Sequence, residues 1–300
     1  MAPVASNCMT GVMSALGPWA LSCCTRRVDA PTGGAAERLL GAPGVAAPPP
    51  AADESGLAET VRLAAALLPG REMTAWQRAW CTADNVGRYH RGRHGDPAAA
   101  AEILAQALRW REDYREVLSG AREPRWQTDL RVLTRGGDGV PIIYGCFRHN
   151  VPATSANLRD ITEHMAAVLE AASRARRQGA TNADTVMDCH GYVMRDNLNP
   201  APMLALMRMV NQPYRDSLRR AIVVDAPRSF QMLWRAAAPL LSEKTKRKIC
   251  FVSRAEAAQL VEASSGPGAA AAVDRVMALN REAIGCQGVH FPSELPEDGA

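Results

Sequence analysis

The stretch AIVVDAPRSFQMLWRAAAPLLSEKTKRKICFVS, residues 221–253, decides the fold. Its two ends, AIVVD and ICFVS, are short apolar, β-branched runs, and each reads as a buried strand. Between them Phe230, Leu233, Trp234, Ala237, Leu240 and Leu241 recur at i, i+3, i+4 and i+7, which lines one face of a helix over 229–242. Asp225 and Ser229 are candidate N-terminal caps, and Pro239 is expected to bend the last turn because it has no amide hydrogen to donate. A strand, a single-faced helix and a second strand make a parallel crossover unit. The apolar stripe is followed at once by a knot of positive charge, Lys244, Lys246, Arg247 and Lys248, with Thr245 among them.

The same alternation extends upstream. LRDITEHMAAVLEAASRARRQG reads as a helix closed by Gly179, DTVMDCHGYV as a strand, and a further helix is expected within 200–218. GGDGVPIIYGCF reads as a turn and a strand. Residues 55–118 have a helical pattern throughout, with Pro69-Gly70 ending the first helix and Asp96-Pro97 opening a long one. The expected architecture is α/β, a largely parallel sheet with helices packed on it, preceded by a small all-helical subdomain. The expected boundaries are 1–54 for a disordered or targeting segment, 55–120 for the helical subdomain, 121–262 for the α/β domain, and 263–300 for a linker, a helix and a tail.

The 300 residues are 47% hydrophobic and 22% charged, enough for one core of ordinary size, and the net charge of +4 is concentrated locally rather than spread. That balance gives no reason to expect a nucleic-acid partner. Eight cysteines occur without a CxxC pair, which fits reduced thiols in a cytosol-like compartment. No apolar run reaches the 18 residues of a membrane-spanning helix. Residues 1–52 are rich in Ala, Pro and Gly and are compatible with a disordered tail, an organelle transit peptide, or acylation at Cys8, Cys23 or Cys24.

Catalytic and metal patterns are poorly supported. Asp188, Cys189 and His190 are adjacent, but neighbouring strand residues point to opposite faces and cannot form one triad. His90 and His94 have the spacing of a metal pair, yet Gly92 and Gly95 weaken a helix there and no third ligand is evident. RGGDGVP is followed by a strand rather than a helix, so it is a turn and not a phosphate loop. No catalytic residue, metal or cofactor is expected, and the protein is read as a non-enzyme.

The residues quoted resemble the CRAL-TRIO lipid-transfer family. The segment 221–252 is similar to the family's strand, Asn-Ala-Pro turn, aromatic helix and Thr-x-x-Lys-Ile ending, with Asp225 in place of Asn and Ala238 where Lys is usual. VMDCHGY and GGDGVPIIY resemble two upstream family motifs, and NVGRYHRGRHGDPAAAAEILAQALRWREDY its N-terminal helical piece. The resemblance covers roughly residues 82–255. It implies a sheet flooring an apolar pocket closed by a mobile gate helix, with Phe230, Leu233, Trp234, Ala237, Leu241 and Thr185 as gate and pocket residues.

From the family's fungal phosphatidylinositol/phosphatidylcholine-transfer members it further implies a lipid head-group site at Arg93, Asp216, Thr245 and Lys248. The tyrosines those members use for the choline lipid fall on Val132 and Ile143, and of a hydroxyl pair only Thr185 remains, beside Ala183. Phosphatidylinositol is therefore expected over phosphatidylcholine, bound as a ligand by a monomer that touches membranes transiently from the cytoplasm, or within an organelle if residues 1–52 are a transit peptide. The alternatives are a carrier of a compact hydrophobic molecule such as a tocopherol or retinoid, and a regulatory interaction module with a vestigial pocket.

Overall fold

The computed structural model describes residues 54–125, 129–197, 199 and 201–282. The expectations for residues 1–53 and 283–300 lie outside the described residues. Helices α1 (Glu54–Ala66), α2 (Ala75–Trp80), α3 (Ala83–Arg91), α4 (Pro97–Asp113) and α5 (Arg115–Ser119) form the expected N-terminal helical part. Asp96 caps α4 as its sequence suggests, its carboxylate accepting from the amides of Ala98 and Ala99. Leu57, Val86, Tyr89, Leu104 and Leu108 bring α1, α3 and α4 together around one apolar cluster.

Five strands follow in the order β1 (Asp129–Arg135), β2 (Pro141–Cys146), β3 (Ala183–Asp188), β4 (Leu218–Val224) and β5 (Ile249–Val252), hydrogen-bonded in sequence order. β1 and β2 are an antiparallel hairpin, and β2 to β5 run parallel. The parallel part arises because each crossover carries a helix: α6 (Leu158–Arg174), α7 (Ala201–Asn211), and then α8 (Arg228–Ala237) with the short α9 (Glu243–Lys246). Two helices, α10 (Arg254–Ser265) and α11 (Pro267–Glu282), complete the described chain.

Strand alternation sorts the sheet into two faces. One face carries Leu130, Val132, Ile143, Thr185, Met187, Ala221, Val223, Ile249 and Phe251 by register. On it α6 covers the β1–β2 end, Val168 and Ala172 packing on Val132 and Ile143. At the other end α8 packs Phe230 on Val223 and Cys189, flanked by Phe147, Tyr192 and Phe251. The opposite face carries Tyr144 and Asp188, which hydrogen-bond to Asn280 and Arg281 of α11.

Three local expectations are corrected. The helix expected over 229–242 ends at Ala237 and continues as one 3-10 turn, Ala238–Leu240, before α9, because Pro239 cannot supply a helical amide. Neither Asp225 nor Ser229 caps it: the cap position is Pro227, with no side-chain bond. Asp225 instead accepts from the Arg254 amide at 3.2 Å. The segment read as a linker from 263 is helical on both sides of Gly266, and Ala269, Val273, Val276 and Met277 of α11 are buried.

Candidate functional site

The apolar face is not evenly covered. Every residue of β2 is buried, whereas Thr185 and Met187 of β3, Ala221 of β4, and Ile249 and Phe251 of β5 stay half-exposed. Of these, Thr185, Met187 and Ala221 lie on the central strands between the cluster under α6 and the cluster under α8, while Ile249 and Phe251 border the Phe230 cluster. Leu233 and Trp234 of α8 are also half-buried, and the Trp234 and Phe251 rings are 5.8 Å apart. Phe230 is the fully seated anchor, with ring contacts to Phe147, Tyr192 and Phe251 at 5.6, 5.4 and 6.4 Å. Leu241 is half-buried beyond the 3-10 turn. The side chain of Ala237 lies outside the described residues. α8 therefore rests on the sheet by one aromatic anchor while its next turn borders an incompletely covered apolar floor.

The charged residues meet that floor at its edge. Lys248 precedes β5, and its backbone carbonyl accepts the Ala221 amide at 2.8 Å, which fastens the start of β5 to β4. Its ammonium donates to the Leu218 carbonyl. Burial, reinforced by the Lys244 cation and opposed by Asp216, lowers the Lys248 ammonium from its ordinary range. Asp216 sits in the left-handed region at φ 54 and accepts from Lys244 Nζ at 2.7 Å. Burial works to raise its carboxyl, but the Lys244 hydrogen bond and the charges of Lys244, Lys248 and Arg215 hold it below the usual carboxylate range. Thr245 lies one turn before Lys248, whose amide it accepts at 3.1 Å; its hydroxyl is 2.9 Å from that of Ser242.

Asp216 and Lys248 thus belong to one charge cluster, with Thr245 on the turn that leads into Lys248. Arg93 is exposed on the turn after α3. That turn abuts the neighbouring residue Arg215: a Cβ on Gly92 would come within 2.4 Å of Arg215 Nε, so a larger residue there would push the guanidinium aside. The contribution of Lys244 and Arg215 was not singled out by sequence, although Lys244 belongs to the basic knot and both flank residues that were.

Val132 and Ile143 are register partners and are buried together with Ala183 in one apolar cluster. The remaining motifs resolve structurally. Asp188 is 0% exposed and paired with Arg281. Cys189 has its thiol pushed up to about 12, chiefly by burial. His90 is buried in α3 while His94 is in the left-handed region at φ 55, and among the described residues no cluster of metal-ligating side chains forms. Among the same residues, no helix is long and apolar enough to cross a membrane.

Residues 132–265 match the profile of the CRAL/TRIO domain. Among solved structures, the crystal structure of Sfh5 is similar at 12% identity, with a TM-score of 0.48, over 56% of this chain. The match spans 63% of that protein's chain.

Proposed function

From the premise that residues 132–265 are a CRAL/TRIO domain, a lipid-binding module, we propose that this chain carries phosphatidylinositol between membranes. The acyl chains lie on the half-exposed strip of Thr185, Met187 and Ala221 beside α8, and the head group is held by Arg93, Asp216, Thr245 and Lys248. The observation that supports this best is the charge cluster of Lys244, Lys248 and Asp216 at the start of the strand that carries Ile249 and Phe251, which sets cationic groups at the edge of an apolar floor. A phospholipid is the ligand class that needs both. Burying its chains is worth about 0.8 kcal/mol per methylene, which the membrane also offers, so exchange needs no chemical step. The reading is accordingly that of a non-catalytic, monomeric, cytoplasmic protein that meets membranes peripherally. Phosphatidylinositol is favoured over phosphatidylcholine because Val132 and Ile143, where the fungal proteins this chain resembles use tyrosines for the choline lipid, are apolar here and buried under α6.

Native mass spectrometry of the full chain after incubation with mixed vesicles tests this. Phosphatidylinositol is expected as the dominant adduct, well above phosphatidylcholine. An adduct with the mass of a compact apolar molecule would replace the phospholipid by that ligand, and an unloaded protein that exchanges no lipid would favour a regulatory module.

A further inference from the structure

A second polar cleft, of about 320 Å3, lies between α3, the C-terminal end of α6 and the segment 213–217. None of Arg93, Asp216, Thr245 and Lys248 lines it. Four arginines do, Arg88, Arg174, Arg176 and Arg215, against two carboxylates, Asp84 and Glu170. Both carboxylates are already engaged. Asp84 accepts from Arg88 at 2.8 Å, and Glu170 receives both forks of Arg111 at 2.9 Å and the Tyr214 hydroxyl at 3.0 Å. Arg174 approaches Glu170 at 3.8 Å.

Arg88 is 5% exposed, and the Nε atoms of Arg88, Arg176 and Arg215 are buried without a hydrogen-bond partner among the described residues. Arg176 makes no ion pair among those residues. Burial, and then the neighbouring Arg88 cation, push its guanidinium down to about 10. Arg88 is satisfied by Asp84 and by the Arg215 and Thr181 carbonyls, but Arg176 and Arg215 make no ion pair among the described residues, and partly buried cations are ordinarily paired, so this end of the cleft lacks negative charge.

We propose that this cleft binds a phosphate monoester, its dianion taken by Arg176 and Arg88 and its small organic part lying against Trp80 and Tyr89. Guanidinium groups match tetrahedral oxyanions with paired donors, and a cleft of this volume holds a small phosphorylated molecule but not a diacyl lipid. The same dianion is available free in solution or on the head group of a phosphorylated lipid. The proposal does not depend on the lipid assignment above.

The test is a titration of the full chain with inorganic phosphate at constant ionic strength, read by the shift in unfolding temperature and by phosphorus NMR line width. A saturable response is expected that chloride does not give. Arg176→Gln should weaken it by about tenfold or more, Arg176→Lys should weaken it less because the charge is kept, and Arg62→Gln, on the exposed side of α1 and outside the cleft, should leave it unchanged. A soluble ester such as glycerol 2-phosphate reproducing the response assigns the site to soluble ligands. A response only to vesicles bearing a phosphorylated lipid, still abolished by Arg176→Gln, assigns it to a head group. An equal response to chloride, a response that survives Arg176→Gln, or one lost in Arg62→Gln but kept in Arg176→Gln overturns the proposal.

Discussion

Arg281, near the end of α11, forks onto Asp188 at the end of β3, with Nη1 2.7 Å from Oδ2 and Nη2 3.1 Å from Oδ1. The same guanidinium reaches Asp225 at 3.0 Å, so one side chain ties α11 to the ends of two adjacent strands. Asp188 also accepts the Tyr144 hydroxyl and the His190 amide, each at 3.0 Å. The acid inside the DCH motif is thus a fastening point for the last described helix.

Arg281→Met should cost about 3–5 kcal/mol, because it leaves the Asp188 carboxylate buried without its counter-charge. Urea unfolding monitored by circular dichroism measures the loss. Asp188→Asn in the Arg281→Met background should recover part of it, since a neutral amide tolerates burial better. A double variant no more stable than the single one would show that α11 is held by its apolar face alone.

A second buried pair joins the helical part to the α/β part. Arg111 is 2% exposed, forks onto Glu170, and stands 5.0 and 4.5 Å from the ring centres of Trp76 and Trp80. Burial works to raise the Glu170 carboxyl, but the bonds and charge of Arg111 and the Tyr214 hydroxyl hold it below its ordinary value of 4.5. A depressed folded-state value means that the pair's contribution is complete above about 4.5 and fades as pH falls toward the folded value. The unfolding temperature should therefore drop through that acid window more steeply in the wild type than in Glu170→Gln. Parallel curves would remove the pair as the cause.

Much of this arrangement was legible in the sequence where signals are local. The 221–253 stretch announced its strands, its helix and the break at Pro239 by periodicity and proline, and Asp96-Pro97 announced α4. What escaped depends on distant partners. β1 was missed because DLRVLTR carries three charges in seven residues, which reads as surface. In the fold Arg131 is buried beside Asp129, and its guanidinium lies 5.8 Å from the centre of the Tyr144 ring. The role of α11 was missed for the same reason, since Asp188 and Arg281 are 93 residues apart. Asp216, Thr245 and Lys248 were named from the resemblance, while the neighbouring Lys244 and Arg215 come into view only with the left-handed turn at Asp216 and the close approach of Arg215 to Gly92.

If the head-group assignment holds, Lys248→Ala should lower vesicle-to-vesicle transfer of phosphatidylinositol by at least about tenfold, the equivalent of losing one charge-assisted bond of about 1.5–3 kcal/mol. Because the Lys248 ammonium also caps the Leu218 carbonyl, unfolding of the variant must be measured beside transfer. Loss of stability with transfer intact would make Lys248 a support for β4 and not a lipid contact. Arg93→Ala supplies the complementary case. This exposed residue should affect the preference for phosphatidylinositol over phosphatidylcholine and leave the unfolding temperature alone.

The last expectation concerns α8 as a gate. Its seat on the sheet is asymmetric: Phe230 is buried among aromatic rings, Trp234 one turn later is half-buried, and Met232 on the outer side is 63% exposed. Helix α8 also ends in a 3-10 turn at Pro239, where the backbone hydrogen-bond ladder is interrupted. A helix held at one end and weakened at the other can swing outward with little loss of packing, and its exposed apolar side chain would then meet lipid first. Anionic vesicles should shift the emission of Trp234 to the blue, isolated by difference from Trp234→Phe, and should change hydrogen exchange over 229–242 more than over 218–224. Met232→Asp should weaken vesicle binding while leaving the fold intact, since an exposed position tolerates charge in water but not in a bilayer. Equal exchange changes in helix and strand, with Met232→Asp binding like the wild type, would mean that α8 stays closed at the membrane and that lipid enters by another route.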